Sequence, residues 1–294
     1  MSIKRIALIG LGEVGGILAH DLLARAELTA FDLKIWEEGS APARTSSKLQ
    51  MYVGENAAAT ASGADLVISA VTAAQTFIAA QSVMGGIGKG AIFLDLNSAS
   101  PGVKREAAQA IEAAGGRYVE AAVMSPFPPK RLATHILLGG PHGQAFLPEA
   151  KALGFAGAEF FSAEIGKASA AKMCRSVMVK GIEALLSESL LAARCYGVED
   201  TVLKSLDDLF PGPDWTKLAR YMISRTLEHG TRRAEEMREA ARTVAEAGLE
   251  PHMSSAAAAR QAWAPQFASA LVEQNLDDML DAMRELMDER GAAA

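Results

Sequence analysis

The chain has 294 residues, half of them apolar, and a formal net charge of −6. This length suits two domains, and this apolar content suits large buried cores and excludes a disordered chain. Lysine and arginine never occur in runs longer than two, whereas phosphate binding needs clustered positive charge. The longest early apolar run, 6–11, is too short for a membrane span or a signal-peptide core. We therefore expect neither a nucleic-acid partner nor a membrane partner.

The two cysteines, Cys174 and Cys195, lie in sequence with helical apolar spacing and have no metal-ligand spacing. This pattern predicts reduced cysteines in the core and no metal site. It favours a cytoplasmic protein.

The first half of the chain alternates short apolar or β-branched runs with helical stretches and glycine-rich connections. This alternation predicts an α/β Rossmann fold, in which helices cover both faces of a doubly wound parallel sheet. The predicted strands are 3–9, 28–32, 65–71, 91–95, 117–124, 135–138 and 158–161.

After residue 163 the apolar spacing is helical throughout, with breaks at Gly197, at 211–213 and at 248–251. The predicted helices are 167–196, 201–209, 214–247 and 254–289. We therefore predict an α/β domain at 1–163 followed by an all-α domain at 164–294.

Three glycines, Gly10, Gly12 and Gly15, form a GxGxxG pattern between the first strand and a helix. In this context Gly10 allows the tight turn, Gly12 lets a pyrophosphate approach the backbone, and Gly15 lets the helix pack closely on the strand. The pattern predicts a dinucleotide site, with the helix N-terminus facing the phosphates. A purely structural glycine turn is the alternative.

Asp32 ends the second strand, 17 residues after Gly15. A carboxylate at this position can accept the adenosine-ribose hydroxyls and repels a 2′-phosphate. The predicted cofactor is NAD or NADP, with NAD favoured, although Lys34 could meet a phosphate.

The segment 95–101 (DLNSASP) follows a later strand, at the sheet edge where ligands of such folds bind. Asn97 and Ser98 could touch the ribose or nicotinamide, or could cap the helix that begins near Pro101. The predicted cofactor contacts are Gly10, Gly12, Glu13, Val14, Gly15, Asp32, Val71, Thr72 and Asn97.

One face of the helix at 167–196 carries Lys172, Ser176, Lys180 and Glu183. Charged groups on an apolar helix are costly to bury unless they are paired or used in chemistry. A lysine there can serve as a general base. The alternative is a structural Lys180–Glu183 pair, with the amine of Lys172 in solvent.

The stretch 229–238 (HGTRRAEEMR) is densely charged and helical. Such stretches are usually solvent-exposed faces. His229 with Arg232 or Arg233 could instead hold a substrate carboxylate, which suits the geometry of arginine.

Three of these motifs resemble those of the β-hydroxyacid dehydrogenase superfamily, which includes 6-phosphogluconate and 3-hydroxyisobutyrate dehydrogenases. The segment 10–15 (GLGEVG) resembles the family's GLGxMG, 95–101 resembles DxSTxxP, and 166–172 (GKASAAK) resembles GxGxxxK. The resemblance implies a Rossmann domain followed by a helical domain, and it implies that Lys172 is the catalytic lysine. The later stretches resemble a less characterised branch with a phosphogluconate-dehydrogenase-like C-terminal domain.

The chain departs from the family pattern mainly in its substrate half. Ala168 replaces a glycine of GxGxxxK, and Ser176 stands where the family has asparagine. The family's VSGG corresponds to 123–126 (VMSP), and its KDL corresponds loosely to 235–237 (EEM). The family's cofactor-binding motifs are thus kept. The identity of the substrate cannot be transferred from the family to this chain. The predicted substrate-binding residues are Ser98, Met124, Ser125, Arg175, Lys180, His229 and Arg233.

Our main hypothesis is an NAD(P)-dependent dehydrogenase that oxidises a small, anionic hydroxy acid or polyol acid. Lys172 would take the hydroxyl proton and Ser176 would orient the hydroxyl. One alternative on the same fold is a reductase of an imine or a ketone. Another is a non-catalytic dinucleotide-binding protein. The alanine-rich helices predict a homodimer.

Overall fold

The computed structural model describes residues 3–292. The chain forms two compact units that divide between Met173 and Cys174, inside one long helix. The sequence places the division ten residues earlier, at residue 163. The first residues of the long helix belong to the sheet unit because Ala168 packs with Ala122 and Leu137 of the sheet.

The first unit is built on an eight-stranded sheet, and every predicted strand is present. The spatial order is β3-β2-β1-β4-β5-β6-β7-β8, the doubly wound arrangement that the sequence predicted. The strands are β1 (Arg5–Ile9), β2 (Glu27–Phe31), β3 (Tyr52–Val53), β4 (Leu66–Ser69), β5 (Ile92–Asp95), β6 (Arg117–Val123), β7 (Ile136–Gly139) and β8 (Ala158–Ser162).

Alternate strand residues face opposite sides of the sheet, and both sides are buried. On β1, Ile6 and Leu8 face one apolar core, while Ala7 and Ile9 face the other. A strand that is buried on both faces has a continuous apolar sequence, which is why these strands could be predicted.

Two features of the sheet differ from the prediction. The strand β3 was missed because it has only two residues, which pair with Thr29 and Ala30. The sheet is also not wholly parallel, since β6 and β7 are antiparallel. Only a four-residue helix and a 3-10 turn lie between these two strands. The chain therefore turns back directly instead of crossing over through a long helix.

Helices connect most of the strands and cover both faces of the sheet. The helices of the first unit are α1 (Glu13–Leu22), α2 (Ala41–Leu49), α3 (Ala57–Ala61), α4 (Thr76–Val83), α5 (Pro101–Ala113), α6 (Phe127–Lys130) and α7 (Gly143–Ala152). The long helix α8 (Lys167–Tyr196) begins in this unit and continues into the second.

The second unit is entirely helical within residues 174–292, as the sequence predicted. The helix predicted at 254–289 is wrong in one respect, because the chain is interrupted after a 3-10 helix at Ala264–Val272. The side chain of Asn275 accepts from the N–H of Asp278 at 2.9 Å and so caps a new helix. Besides α8, the helices are α9 (Glu199–Leu209), α10 (Trp215–Glu246), α11 (His252–Trp263) and α12 (Leu276–Ala292).

The second unit has its own apolar core, to which four of its helices and the 3-10 helix contribute. Representative members are Leu190 of α8, Leu203 of α9, Ile223 of α10 and Met279 of α12. Within residues 3–292, no helix combines the length and apolar content that crossing a membrane would require.

The prediction that the two cysteines lie in the core is wrong. Both Cys174 and Cys195 are free thiols on the exposed side of α8. Their helical surroundings predicted a helix correctly but could not show which side of it is buried.

Candidate active site

The glycine turn joins β1 to α1. The physical reason for having glycine differs among its three positions. Gly10 has a φ of +96°, and a Cβ there would lie 2.4 Å from the carbonyl oxygen of Ala70. A Cβ on Gly15 would lie 1.9 Å from the carbonyl oxygen of Gly10. A Cβ on Gly12 would meet no atom of the protein within 4 Å. Gly10 and Gly15 are therefore required by the fold, whereas Gly12 leaves open space above the turn.

The open space lies at the N-terminus of α1. Gly12 is the N-cap residue and has no side chain to accept from the first-turn N–H groups. Glu13, Val14 and Gly15 follow it as the first turn. N–H groups at a helix N-terminus form a natural site for an anion such as a pyrophosphate. The turn thus fits the phosphates of a dinucleotide.

Asp32 lies directly after β2, and neighbouring backbone holds its carboxylate in place. Its Oδ2 accepts from the N–H of Leu11 at 2.8 Å, and its Oδ1 accepts from the N–H of Lys34 at 2.9 Å. The first of these bonds ties the carboxylate to the glycine turn. Each carboxylate oxygen can accept a further hydrogen bond, so Asp32 can still bind ribose hydroxyls.

Asn97 joins the ends of β4 and β5. Its side-chain oxygen accepts from the N–H of Val71 at 2.7 Å, and its side-chain nitrogen donates to Ser69 Oγ at 2.9 Å. The side chain is buried and is used to hold this edge of the sheet. Thr72 is exposed, just before a 3-10 helix.

The alternative in which Asn97 or Ser98 caps α5 is wrong. The N-cap is Ser100, whose hydroxyl accepts from the N–H of Val103 at 3.4 Å. This leaves the hydroxyl of Ser98 available for the contact with the lysine.

Lys172 meets Ser98 at the carboxyl end of the sheet. The Nζ of Lys172 donates to Ser98 Oγ at 2.5 Å, although the two residues are 74 positions apart in the chain. Both side chains are half-buried. The structure therefore brings the predicted base together with a predicted substrate-binding serine. The amine of Lys172 thus has a partner within the protein, whereas the alternative placed it in solvent.

Met124 and Ser125 follow β6 at the same edge of the sheet. Met124 packs against the small apolar cluster that contains Ala122 and Ala168. The Oγ of Ser125 is buried and has no hydrogen-bond partner among the described residues. A buried hydroxyl without a partner is costly, so this oxygen has capacity for a further hydrogen bond.

The remaining predicted residues lie in the second unit and are largely paired with one another. Lys180 is buried and forms an ion pair with Glu236 of α10 at 2.9 Å, and it also donates to Ser176 Oγ at 3.2 Å. Glu183 is buried and pairs with Arg233. The alternative of a Lys180–Glu183 pair is therefore wrong, because each residue selects a partner on α10.

The stretch 229–238 is neither a simple exposed face nor a free clamp for a carboxylate. Arg233 is mostly buried in its pair with Glu183, while the exposed Arg232 bonds to Glu236 at 2.6 Å. Burial lowers the pKa of His229, and Arg225 adds to this effect, so the imidazole favours its neutral form. Arg175 is exposed on α8.

Three polar groups that were not predicted as site residues are buried or partly buried, Gln261 and Glu236 in the second unit and Glu120 in the first. Gln261 of α11 donates to Glu183 at 2.9 Å, and Glu236 accepts from Lys180. Glu120 is fully buried on β6. Its position inside an otherwise apolar strand was a signal that could have identified it, since acids are seldom buried without a partner.

Asp95, the last residue of β5, holds the segment that carries Ser98. Its Oδ1 accepts from the N–H of Asn97 at 2.9 Å and pairs with Lys104 at 2.9 Å. Its Oδ2 accepts from the hydroxyl of Tyr118 at 2.6 Å. Burial, followed by the charge of Asp95, raises the pKa of Tyr118 well above its usual range, so this phenol remains a donor.

Comparison with known families identifies the type of domain that the first unit forms. Residues 5–161 match the NAD binding domain of 6-phosphogluconate dehydrogenase, and this match covers more than half of the chain. The chain belongs to the β-hydroxyacid dehydrogenase superfamily. Its first unit is thus a nicotinamide-dinucleotide-binding domain, as the glycine turn predicted. Residues 193–264 match a domain of unknown function, DUF1932.

Solved structures of similar proteins agree with this membership. A conserved hypothetical protein from Sinorhizobium meliloti is 36% identical, with 97% of each chain covered and a TM-score of 0.74. Protein MTH1747, of unknown function and similar in structure to 3-hydroxyacid dehydrogenases, is 28% identical over 96% of this chain and 99% of its own, with a TM-score of 0.69.

Two more distant solved structures share the fold alone. The 3-hydroxyisobutyrate dehydrogenase of Mycobacterium tuberculosis is 19% identical over 97% of this chain and all of its own, with a TM-score of 0.69. A Streptomyces aurantiacus imine reductase is 17% identical over 97% of this chain and 99% of its own, with a TM-score of 0.53.

Proposed function

We propose that the protein is a nicotinamide-dependent oxidoreductase that interconverts a hydroxyl group and a carbonyl group on a small hydroxy acid. The contact between Lys172 Nζ and Ser98 Oγ carries this proposal. It joins a lysine to the segment after β5, at the sheet edge where ligands of doubly wound folds bind. A bound dinucleotide would supply the hydride chemistry.

Lys172 moves the proton in this proposal. In the direction of oxidation, its unprotonated amine takes the proton of the substrate hydroxyl while the carbon loses a hydride. In the reverse direction, its ammonium form returns the proton to the carbonyl oxygen. Ser98 orients the amine through the 2.5 Å hydrogen bond. A positioned general base of this kind contributes roughly 10²–10⁴-fold to a reaction rate.

The glycine turn and Asp32 would hold the dinucleotide. Gly12 offers open space next to the N-terminus of α1, where the pyrophosphate would lie. Asp32 is held by two backbone N–H groups and would accept the ribose hydroxyls. Its negative charge opposes a 2′-phosphate, so we favour NAD over NADP.

The charge pairs of the second unit favour a second candidate, a reductase of an uncharged ketone or of an imine. Lys180 and Arg233 were predicted to bind the substrate, but each is already paired with a glutamate. A carboxylate would have to compete with Glu236 and Glu183 for them. A substrate without a carboxylate would meet no such competition.

Substitution of Lys172 tests the role of the base. We expect Lys172→Ala to lower kcat at least about 100-fold and to leave the Kd for NADH unchanged, because the glycine turn is untouched. Lys167→Ala is a matched control, since Lys167 lies on the same helix and is exposed. Turnover by Lys172→Ala at the rate of the unsubstituted protein would remove Lys172 from the mechanism.

The substrate panel for this experiment separates the two candidates. It pairs small 3-hydroxy acids and 6-phosphogluconate with NAD and with NADP, and it pairs ketones and cyclic imines with NADH and with NADPH. The first candidate predicts NAD-linked oxidation of a hydroxy acid. Turnover of imines or ketones alone would select the second, and dinucleotide binding without any turnover would contradict both.

A further inference from the structure

A carboxylate from the sheet holds the start of the helix that carries Lys172. Glu120 lies in β6 with its side chain fully buried. Its Oε2 accepts from the N–H of Gly166 at 2.7 Å, and its Oε1 accepts from the N–H of Ser169 at 2.6 Å. Gly166 immediately precedes α8, and Ser169 lies in its first turn. The N–H groups that a helix leaves unsatisfied at its start are thus satisfied by a strand residue.

The surrounding backbone is shaped to admit this carboxylate. Gly139 of β7 lies opposite Glu120 in the sheet, and a Cβ at Gly139 would lie 2.7 Å from Glu120 Oε2. Gly166 has a φ of +100°, and a Cβ there would lie 3.1 Å from the Cβ of Pro101. The start of α8 is therefore held between β6 and α5 with little freedom to shift.

A carboxylate suits the position of Glu120 because two N–H groups donate to it, one to each oxygen. A buried carboxylate is stabilised by hydrogen bonds to its oxygens and by the positive end of a helix dipole. A glutamine could accept with only one oxygen, and its amide nitrogen would face an N–H donor. The buried charge therefore binds α8 more firmly than a neutral side chain of the same shape could.

The two partners of the Lys172–Ser98 hydrogen bond are held by adjacent residues of the sheet. Glu120 holds α8, on which Lys172 lies three residues after Ser169. Asp95 is the register partner of Glu120 on β5, and it accepts from the backbone of the segment that carries Ser98. One cross-strand pair of carboxylates thus fixes both ends of the contact.

We propose that Glu120 is a positioning residue for Lys172, acting through the first turn of α8. This inference rests on the proposed function, in which Lys172 is the base. Loss of the Glu120 bonds would let the first turn shift, and a displacement of about 1 Å at a reacting group can cost on the order of 100-fold in rate.

Glu120→Gln in the full-length protein tests the proposal. With the best substrate of the panel, we expect kcat to fall about 10- to 100-fold, with KM and the Kd for NADH nearly unchanged. Asp65→Asn is a control for the loss of a carboxylate that binds backbone away from α8, since Asp65 Oδ2 accepts from the N–H groups of Lys4 and Arg5, at 2.8 and 3.0 Å. A folded Glu120→Gln variant with unchanged kcat overturns the proposal.

A double substitution separates this proposal from the proposed function. If Glu120 acts through Lys172, Glu120→Gln causes no further loss of kcat when Lys172 is already alanine. If Lys172→Ala retains full turnover, the proposed function has failed. If Lys172→Ala loses turnover while Glu120→Gln does not, only the role of Glu120 has failed.

A measurement that needs no substrate checks the geometry alone. Acetic anhydride labels lysine amines, and mass spectrometry compares the labelling rate of Lys172 with that of Lys167. We expect Glu120→Gln to raise this ratio several-fold, because the amine is no longer held against Ser98. Gly139→Ala, which displaces the carboxylate without removing it, serves if Glu120→Gln does not fold. An unchanged ratio in the folded variant contradicts the proposal.

Discussion

The glycines of the turn differ in why glycine is needed. At one position the packing of the protein needs it, and at another the approach of a ligand would need it. Gly15 has no room for a methyl group, because the carbonyl oxygen of Gly10 lies 1.9 Å from its Cβ position. Gly12 has room for a methyl group, and its φ of −67° lies outside the left-handed region that favours glycine. The protein itself therefore does not require glycine at position 12, whereas a pyrophosphate close to the backbone would.

We accordingly expect opposite effects from two alanine substitutions. Gly15→Ala should lower the free energy of unfolding by roughly 1–3 kcal/mol or more, because the packing cannot accept the added methyl group. Gly12→Ala should change it by less than about 0.5 kcal/mol while weakening NADH binding more than tenfold. Urea unfolding and fluorescence titration with NADH measure the two quantities. Tight NADH binding by Gly12→Ala would show that the dinucleotide does not approach this residue.

Secondary-structure elements were predictable where the burial of an element leaves a clear pattern in its own residues. Strands such as β1 and β4 are buried on both faces, so their continuous apolar runs marked them in the sequence. The two-residue β3 has too little sequence for any pattern. The antiparallel direction of β7 depends on the path of the chain after β6, which no residue pattern encodes.

Contacts between elements were less predictable than the elements themselves. The glycine turn and Asp32 belong to one strand–helix–strand segment, so their arrangement follows from the local fold. The partners of Lys180 and Glu183 lie on α10 and depend on how two long helices pack. Each of these helices carries both signs of charge, so the sequence alone allowed several pairings.

At the scale of the whole molecule, ion pairs that depend on acidic side chains stabilise both units. In the first, a hydrogen bond from Arg131 is the main cause that lowers the pKa of Asp21. In the second, a hydrogen bond from Arg194 does the same for Asp281, and this arginine of α8 also bonds to Glu199 of α9. The Arg194 cluster thus joins three helices, since Asp281 belongs to α12.

These shifts set the direction of the pH dependence of stability. A carboxyl group with a lower pKa in the folded state binds fewer protons there than in the unfolded state. Its stabilisation is therefore complete above the unfolded pKa, about 4, and is lost as the pH falls through the folded value. The free energy of unfolding should be steady near neutral pH and should fall below about pH 4.

Asp281→Asn provides the test, with Asp200→Asn at an exposed position of α9 as the control. Urea unfolding between pH 7 and pH 3 should show Asp281→Asn less stable than the unsubstituted protein at neutral pH. The difference should shrink as the pH falls, because protonation removes the same charge from Asp281 that the substitution removes. A difference that stays constant over this range would show that Asp281 stabilises the helices by packing and not through its charge.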